Sequence, residues 1–211
     1  MSSTSAGLFW TTHPEGMMSA AVVVPLHAIL AETFGQRICD DVFADAGMGR
    51  LPGPEDSVPE ARVVRLFDAV YTSWPEVAPD LLDRAGRVTA EMIVMQRVTA
   101  RARLLLANMP WSMAAWLLAR SVRQNSRAFA GSGIFSVQTA GSFVIFDNPL
   151  ARPETGAAPS CHFHRALFEH MFQRLVHRDF ACVETECRGA GGGCCAFRLT
   201  VGGATPEAHP R

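Results

Sequence analysis

Apolar side chains recur at helical spacing through the first 130 residues, and the period then shortens to that of strands. Val24, His27, Ala28, Ala31, Ile38 and Val42 predict two short helices on either side of Gly35. Residues 47–59 hold three prolines and three glycines and read as a loop. Pro59 and Glu60 open a helix that ends near Ser73, before Trp74-Pro75. Leu81, Leu82, Ala85, Val88, Met92, Met95, Val98 and Ala102 predict one long helix from Asp80 to about Asn108. Pro110 starts another, from Trp111 to about Phe129, stopped by Gly131.

Beyond Gly131 the pattern becomes β-branched and aromatic. Residues 134–137 and 142–146 read as a hairpin, and residues 151–160 as a polar connection. A helix from Cys161 to about His177 then precedes two strands, 180–186 and 195–201. Helices first, then strands with one inserted helix, predict an α+β domain with helices packed on an antiparallel sheet. We expect a leader at residues 1–16, one domain at 17–201 and a tail at 202–211.

The composition narrows the chemistry. With 211 residues and 48% apolar side chains, the chain can bury a sizeable core. The net charge of -1 argues against a broad electrostatic grip on nucleic acid or an anionic membrane. No apolar run is long enough to span a bilayer, and the first residues lack the signature of a secretory signal, so a cytoplasmic location is expected. All 19 basic side chains are arginine. Without lysine there is no Schiff base, no Walker A lysine and no Tyr-x-x-x-Lys pair. No Gly-x-Gly-x-x-Gly follows a strand, which counts against a self-sufficient nicotinamide or flavin reductase.

Five of the six cysteines fall in the last 51 residues. In a cytoplasmic chain of this size, such clustering points to a metal before disulfides. Glu184-x-x-Cys187, then Cys195 across a glycine-rich turn, sets three ligands at two strand ends, and Cys161 at a helix start supplies a fourth. Three thiolates and a carboxylate would close a tetrahedral zinc site of structural type. Buried free thiols, or iron–sulfur ligation by Cys182, Cys187 and Cys194, are the alternatives.

Cys161, the run Glu184-Thr185-Glu186-Cys187 and Cys195-Ala196-Phe197 resemble the 4-vinyl reductase domain, which also serves as the effector-sensing module of phenol-responsive activators. Residues 86–90, residues 128–133 and Asn148-Pro149 extend the resemblance to the bacteriochlorophyll biosynthesis protein J family, historically called bacteriochlorophyll 4-vinyl reductase. It covers roughly residues 17–201 and implies zinc at the four matching positions, with Cys195 rather than Cys194 as the last ligand. It also implies a fold shared with NO-signalling ligand-binding domains and vesicle-tethering subunits, a place in bacteriochlorophyll biosynthesis and photosynthesis, and homodimerisation.

The family name implies reduction of a C8 vinyl group, for which the sequence offers no hydride source. Binding of a Mg-tetrapyrrole (a Mg-porphyrin or chlorophyllide precursor) for delivery to bacteriochlorophyll biosynthesis enzymes is the preferred expectation. A reductase acting by itself and a small-molecule sensor are the alternatives. Met92, Met95, Trp111, Trp116, Phe129, Phe135 and Phe143 are candidates for the apolar ligand pocket, and His27 or His164 for an axial ligand to magnesium. Arg97, Arg101, Arg103, Arg120, Arg123 and Arg127 are candidates to pair with a propionate. For each of these residues, ordinary core or solvated surface is the competing reading.

Overall fold

A computed structural model describes residues 16–53, 55–152 and 160–202. The expected leader and tail therefore lie outside the described residues, except for Gly16 and Gly202, as does most of the 151–160 connection. The order is β1 (Met17–Ser19), α1 (Val24–Phe34), α2 (Gln36–Asp45), β2 (Ser57–Pro59), α3 (Glu60–Ser73), α4 (Ala78–Arg97), α5 (Ala100–Ala107) and α6 (Trp111–Gln124). Then follow α7 (Arg127–Ala130), β3 (Ile134–Thr139), β4 (Ser142–Phe146), α8 (His162–Leu175), β5 (Phe180–Glu186) and β6 (Cys195–Val201). This is the α+β architecture expected.

The main sheet is antiparallel throughout, in the order β3-β4-β6-β5. Strand alternation gives it one dry face. Phe180, Cys182 and Glu184 of β5 point inward with Cys195, Phe197 and Leu199 of β6, whereas Ala181, Val183 and Thr185 face solvent. Helix α8 lies against that face and is buried around much of its circumference, so its sequence is apolar beyond a single stripe. Phe168 is the hub, with ring centroids of Phe129, Phe135, Phe143 and Phe197 at 5.2–5.7 Å. Removing one such fully buried ring generally costs about 3–5 kcal/mol.

The opposite side of α8 packs on α4, and Gly86 sets the approach. A Cβ there would stand 2.3 Å from the Phe163 carbonyl oxygen and 3.1 Å from the Ala166 Cβ. Partly buried ion pairs tie the same helices together. Asp83 pairs with Arg87 and Arg165, and Glu169 receives both arginines while its Oε2 accepts the Cys182 N–H at 2.9 Å.

Three local features depart from the pattern-based expectation. The single helix to Asn108 breaks after Arg97, because Thr99 turns extended and its hydroxyl accepts the Ala102 N–H to cap α5. The helix from Trp111 stops at Gln124, where the buried Asn125 side chain bonds to the Ser121 carbonyl, and α7 restarts as a separate turn. The loop at 47–59 ends in β2, which pairs with β1 in a two-stranded sheet too short to show alternation in sequence.

An exposed Gly→Ala change inside a helix usually stabilises by about 1 kcal/mol. At Gly86 the sign should reverse: Gly86→Ala is expected to lose about 1–3 kcal/mol in denaturant unfolding, because α4 and α8 must part. A stabilised variant would show that the two helices do not meet there.

Candidate metal centre and its surroundings

Four inward-facing groups converge where the sheet meets the start of α8. Cys161 caps that helix, Glu184 lies on the inner side of β5, Cys187 follows the strand, and Cys195 opens β6. One ligand atom from each lies within 4.8 Å of all the others, and all four residues are buried. Cys161 Sγ is 3.9 Å from Cys187 Sγ and 3.3 Å from Cys195 Sγ, far longer than a disulfide's ~2.05 Å. A tetrahedral ion with metal–sulfur bonds of ~2.3 Å sets its sulfurs about 3.8 Å apart. Glu184 Oε2 accepts the Cys161 N–H at 2.9 Å. Its Oε1 is buried and, among the described residues, has no hydrogen-bond partner. That oxygen and three convergent sulfurs form a donor set suited to a thiophilic cation.

Crowding of acidic groups governs the electrostatics. Hydrogen bonding to Cys161 lowers the Cys187 thiol, assisted by Ser160, and lowers Cys195, assisted by the Arg188 backbone and Asn148. The same bonds, with burial, push Cys161 well above the usual thiol range. Burial raises the Glu184 carboxyl to about 8. These groups share protons because a dry site does not support four separate negative charges. A dication held there would take over the work of the protons.

Three supporting residues carried no assigned role in the sequence reading. Asn148 Nδ2 lies 3.5 Å from both Cys161 Sγ and Cys195 Sγ, and its Oδ1 accepts the Leu150 N–H at 3.1 Å, which fixes the amide's orientation. The Ser160 hydroxyl sits 3.5 Å from Cys187 Sγ. Tyr71 donates to the Ser160 carbonyl at 2.6 Å. The Asn148-Pro149 motif was the only signal of any of these, and it did not indicate a thiolate donor.

The alternative cluster does not form: Cys182 lies beside Glu169, and Cys194 is half-buried with its N–H directed at Glu186. Nor do the nine pocket candidates line one space. Phe129, Phe135, Phe143 and His164 are buried in the aromatic core around Phe168. Met95 and Trp116 are more than half exposed, Trp111 is exposed at the start of α6 with its ring edge on Phe180, and Met92 is half-buried. His27 packs on Phe43 and faces Asp40 at 3.6 Å.

Both ring nitrogens of His164 point at internal partners, Nε2 at the Phe129 carbonyl (3.1 Å) and Nδ1 at Asn148 Nδ2 (3.5 Å). An Nε2–H tautomer satisfies both contacts, leaving no nitrogen for an axial ligand role. The segment bearing Phe129 is clamped in turn: the Ser132 N–H and hydroxyl both donate to Glu60, against Gly131 at φ 57°. A Cβ at Gly131 would collide with that carboxylate.

Residues 142–201, from β4 through β6, match the 4-vinyl reductase domain. Over 84% of its length the chain is 37% identical to the bacteriochlorophyll synthase 23 kDa chain of Cereibacter sphaeroides, covering 87% of that protein. The chain is a member of this family. The corresponding protein of Rhodobacter capsulatus is 31% identical over 81% of both sequences. Among solved structures, an H-NOX protein from work on haem distortion aligns with TM-score 0.57 and 12% identity, over 92% of this chain and 100% of its own. The H-NOX protein of S. oneidensis in the Fe(II)NO state aligns with TM-score 0.56 and 9% identity, over 87% and 99%. This family member thus has an H-NOX-like fold, as the resemblance implied. No helix among its described residues is long and apolar enough to cross a membrane.

Burial lowers His164 to about 4 from 6.5. Its neutral form therefore favours the folded state fully above pH 6.5, and this contribution is lost as pH falls toward 4. His164→Gln removes the titrating group, so the stability advantage of wild type over variant should shrink by about 3 kcal/mol across that interval in urea unfolding. A constant difference would contradict the buried neutral histidine.

Proposed function

We propose that the protein serves bacteriochlorophyll biosynthesis by binding a Mg-tetrapyrrole intermediate and delivering it to pathway enzymes, with a structural zinc ion at Cys161, Glu184, Cys187 and Cys195. The observation that carries the reading is the 37% identity to the bacteriochlorophyll synthase 23 kDa chain along most of both proteins. The H-NOX likeness adds a scaffold on which, in those proteins, haem is held. The sequence supplies no recognisable reductant motif, which favours a carrier over an autonomous reductase.

Zinc follows from the donor set: three thiolates and a carboxylate complete a tetrahedron and leave no open position for catalysis. Its contribution is to lock α8 to the β5–β6 edge, while Asn148 and Ser160 stabilise the sulfur charge. The pigment therefore binds elsewhere. Of the candidates, Met92, Met95, Trp111, Trp116 and His27 retain solvent exposure, while the Phe129–Phe135–Phe143 cluster would have to open to admit a macrocycle.

Titration of the full chain with a divinyl Mg-porphyrin should give a saturable Soret shift at micromolar pigment, larger than with the metal-free porphyrin. Absence of saturation would refute the carrier. Conversion of the vinyl group by the purified chain and a reductant alone would replace it with a reductase.

A further inference from the structure

Charge is unevenly distributed along the chain. Between Met92 and Phe146 there is no Asp or Glu, although the whole sequence has 20, and the interval holds Arg97, Arg101, Arg103, Arg120, Arg123 and Arg127. Arg97 is paired with Glu55. The overall charge of -1 therefore conceals a positive region matched by an acidic remainder.

The same interval exposes large apolar side chains. Leu104 and Leu105 on α5 are 66% and 51% exposed, and Met113 and Trp116 on α6 are 46% and 54% exposed. The buried stripe of α6 is made of small residues and aliphatics, Ala114, Ala115, Leu118, Ala119 and Val122. Its outward arc at helical spacing therefore carries Met113, Trp116, Arg120 and Arg123. On α5, Ala102 and Leu106 face the core, so Leu104 points away with Arg101 and Arg103 to either side. Met95, near Arg103 at 3.8 Å, continues the surface onto the end of α4.

We propose that the outward sides of α5 and α6 form a docking face for an anionic lipid bilayer. Aliphatic and tryptophan side chains gain by entering the headgroup–acyl boundary, and arginines beside them pair with lipid phosphates. The helices extend about 12 and 21 Å, longer than one flat macrocycle needs. A small ligand is held in a concavity that buries most of its surface, which outward-facing side chains do not provide. Nucleic acid would satisfy the arginines but gain little from Leu104, Leu105 and Met113. The protein lies on the membrane, consistent with the absence of a spanning helix among the described residues. This inference is independent of whether the protein carries a pigment.

Flotation of the full chain with vesicles of phosphatidylcholine containing about 30% phosphatidylglycerol tests it, with pure phosphatidylcholine as the comparison. Binding is expected to the anionic vesicles and to weaken steeply with salt. Removing three arginine charges (Arg101→Gln, Arg120→Gln and Arg123→Gln together) should weaken it at least about tenfold. The pair Leu104→Glu and Trp116→Glu should abolish it while leaving circular dichroism and the melting temperature unchanged, since both side chains are exposed. No flotation at low salt, or binding indifferent to these changes, overturns the proposal. So does loss of self-association or of the Soret shift in the glutamate variant without any vesicle binding by wild type, which would give the face to a second copy or to the pigment.

Discussion

Three thiols and a carboxylate packed into one dry space repel one another unless something positive binds them together. Every element around them is placed accordingly. The Cys161 N–H faces Glu184, the Asn148 amide faces two sulfurs, and Ser160 faces the third. Because Cys161 starts α8 while the other three ligands come from the β5–β6 edge, neutralising this charge also joins the central helix to the sheet. A free buried carboxylate oxygen shows that hydrogen bonds among the described residues do not by themselves complete the arrangement.

From this centre an ordered path of contacts runs into the core. Asn148 lies against His164, His164 reaches the Phe129 carbonyl, and the Gly131 turn that follows is gripped by Glu60 of α3. Phe129 and His164 both pack on Phe168. The region that looked like a ligand pocket in the sequence is thus, in large part, the support for the thiol cluster. On the far side of α8, the Asp83–Arg87–Arg165–Glu169 network and the close approach at Gly86 hold α4. Chemistry requiring access is left to the outer surface.

Much of this was legible in the residues. The bounds of β5 and β6, the Gly35 break and α3 follow from period and punctuation, and the four converging ligands follow from spacing and from the family resemblance. What was not legible depended on long-range contact. Asn148 meets Cys195 across 47 residues, and nothing local marks its amide as a sulfur donor. Thr99 carries an N-cap side chain inside a run of otherwise helical residues, so the break in the long helix was hidden by the apolar period continuing through it. Size alone pointed Trp111, Trp116 and Met113 inward, yet the phase of α6 buries its alanines instead. Net charge, an average over the chain, masked an acid-free stretch.

The central claim is a closed, sulfur-rich metal centre that fastens helix to sheet. X-ray absorption at the zinc edge of the purified protein tests this most directly. Three sulfur scatterers at ~2.3 Å and one oxygen at ~2.0 Å, at about one zinc per chain, are the predicted result. A folded protein without metal, or a metal with fewer than three sulfur neighbours and bound water, would contradict it.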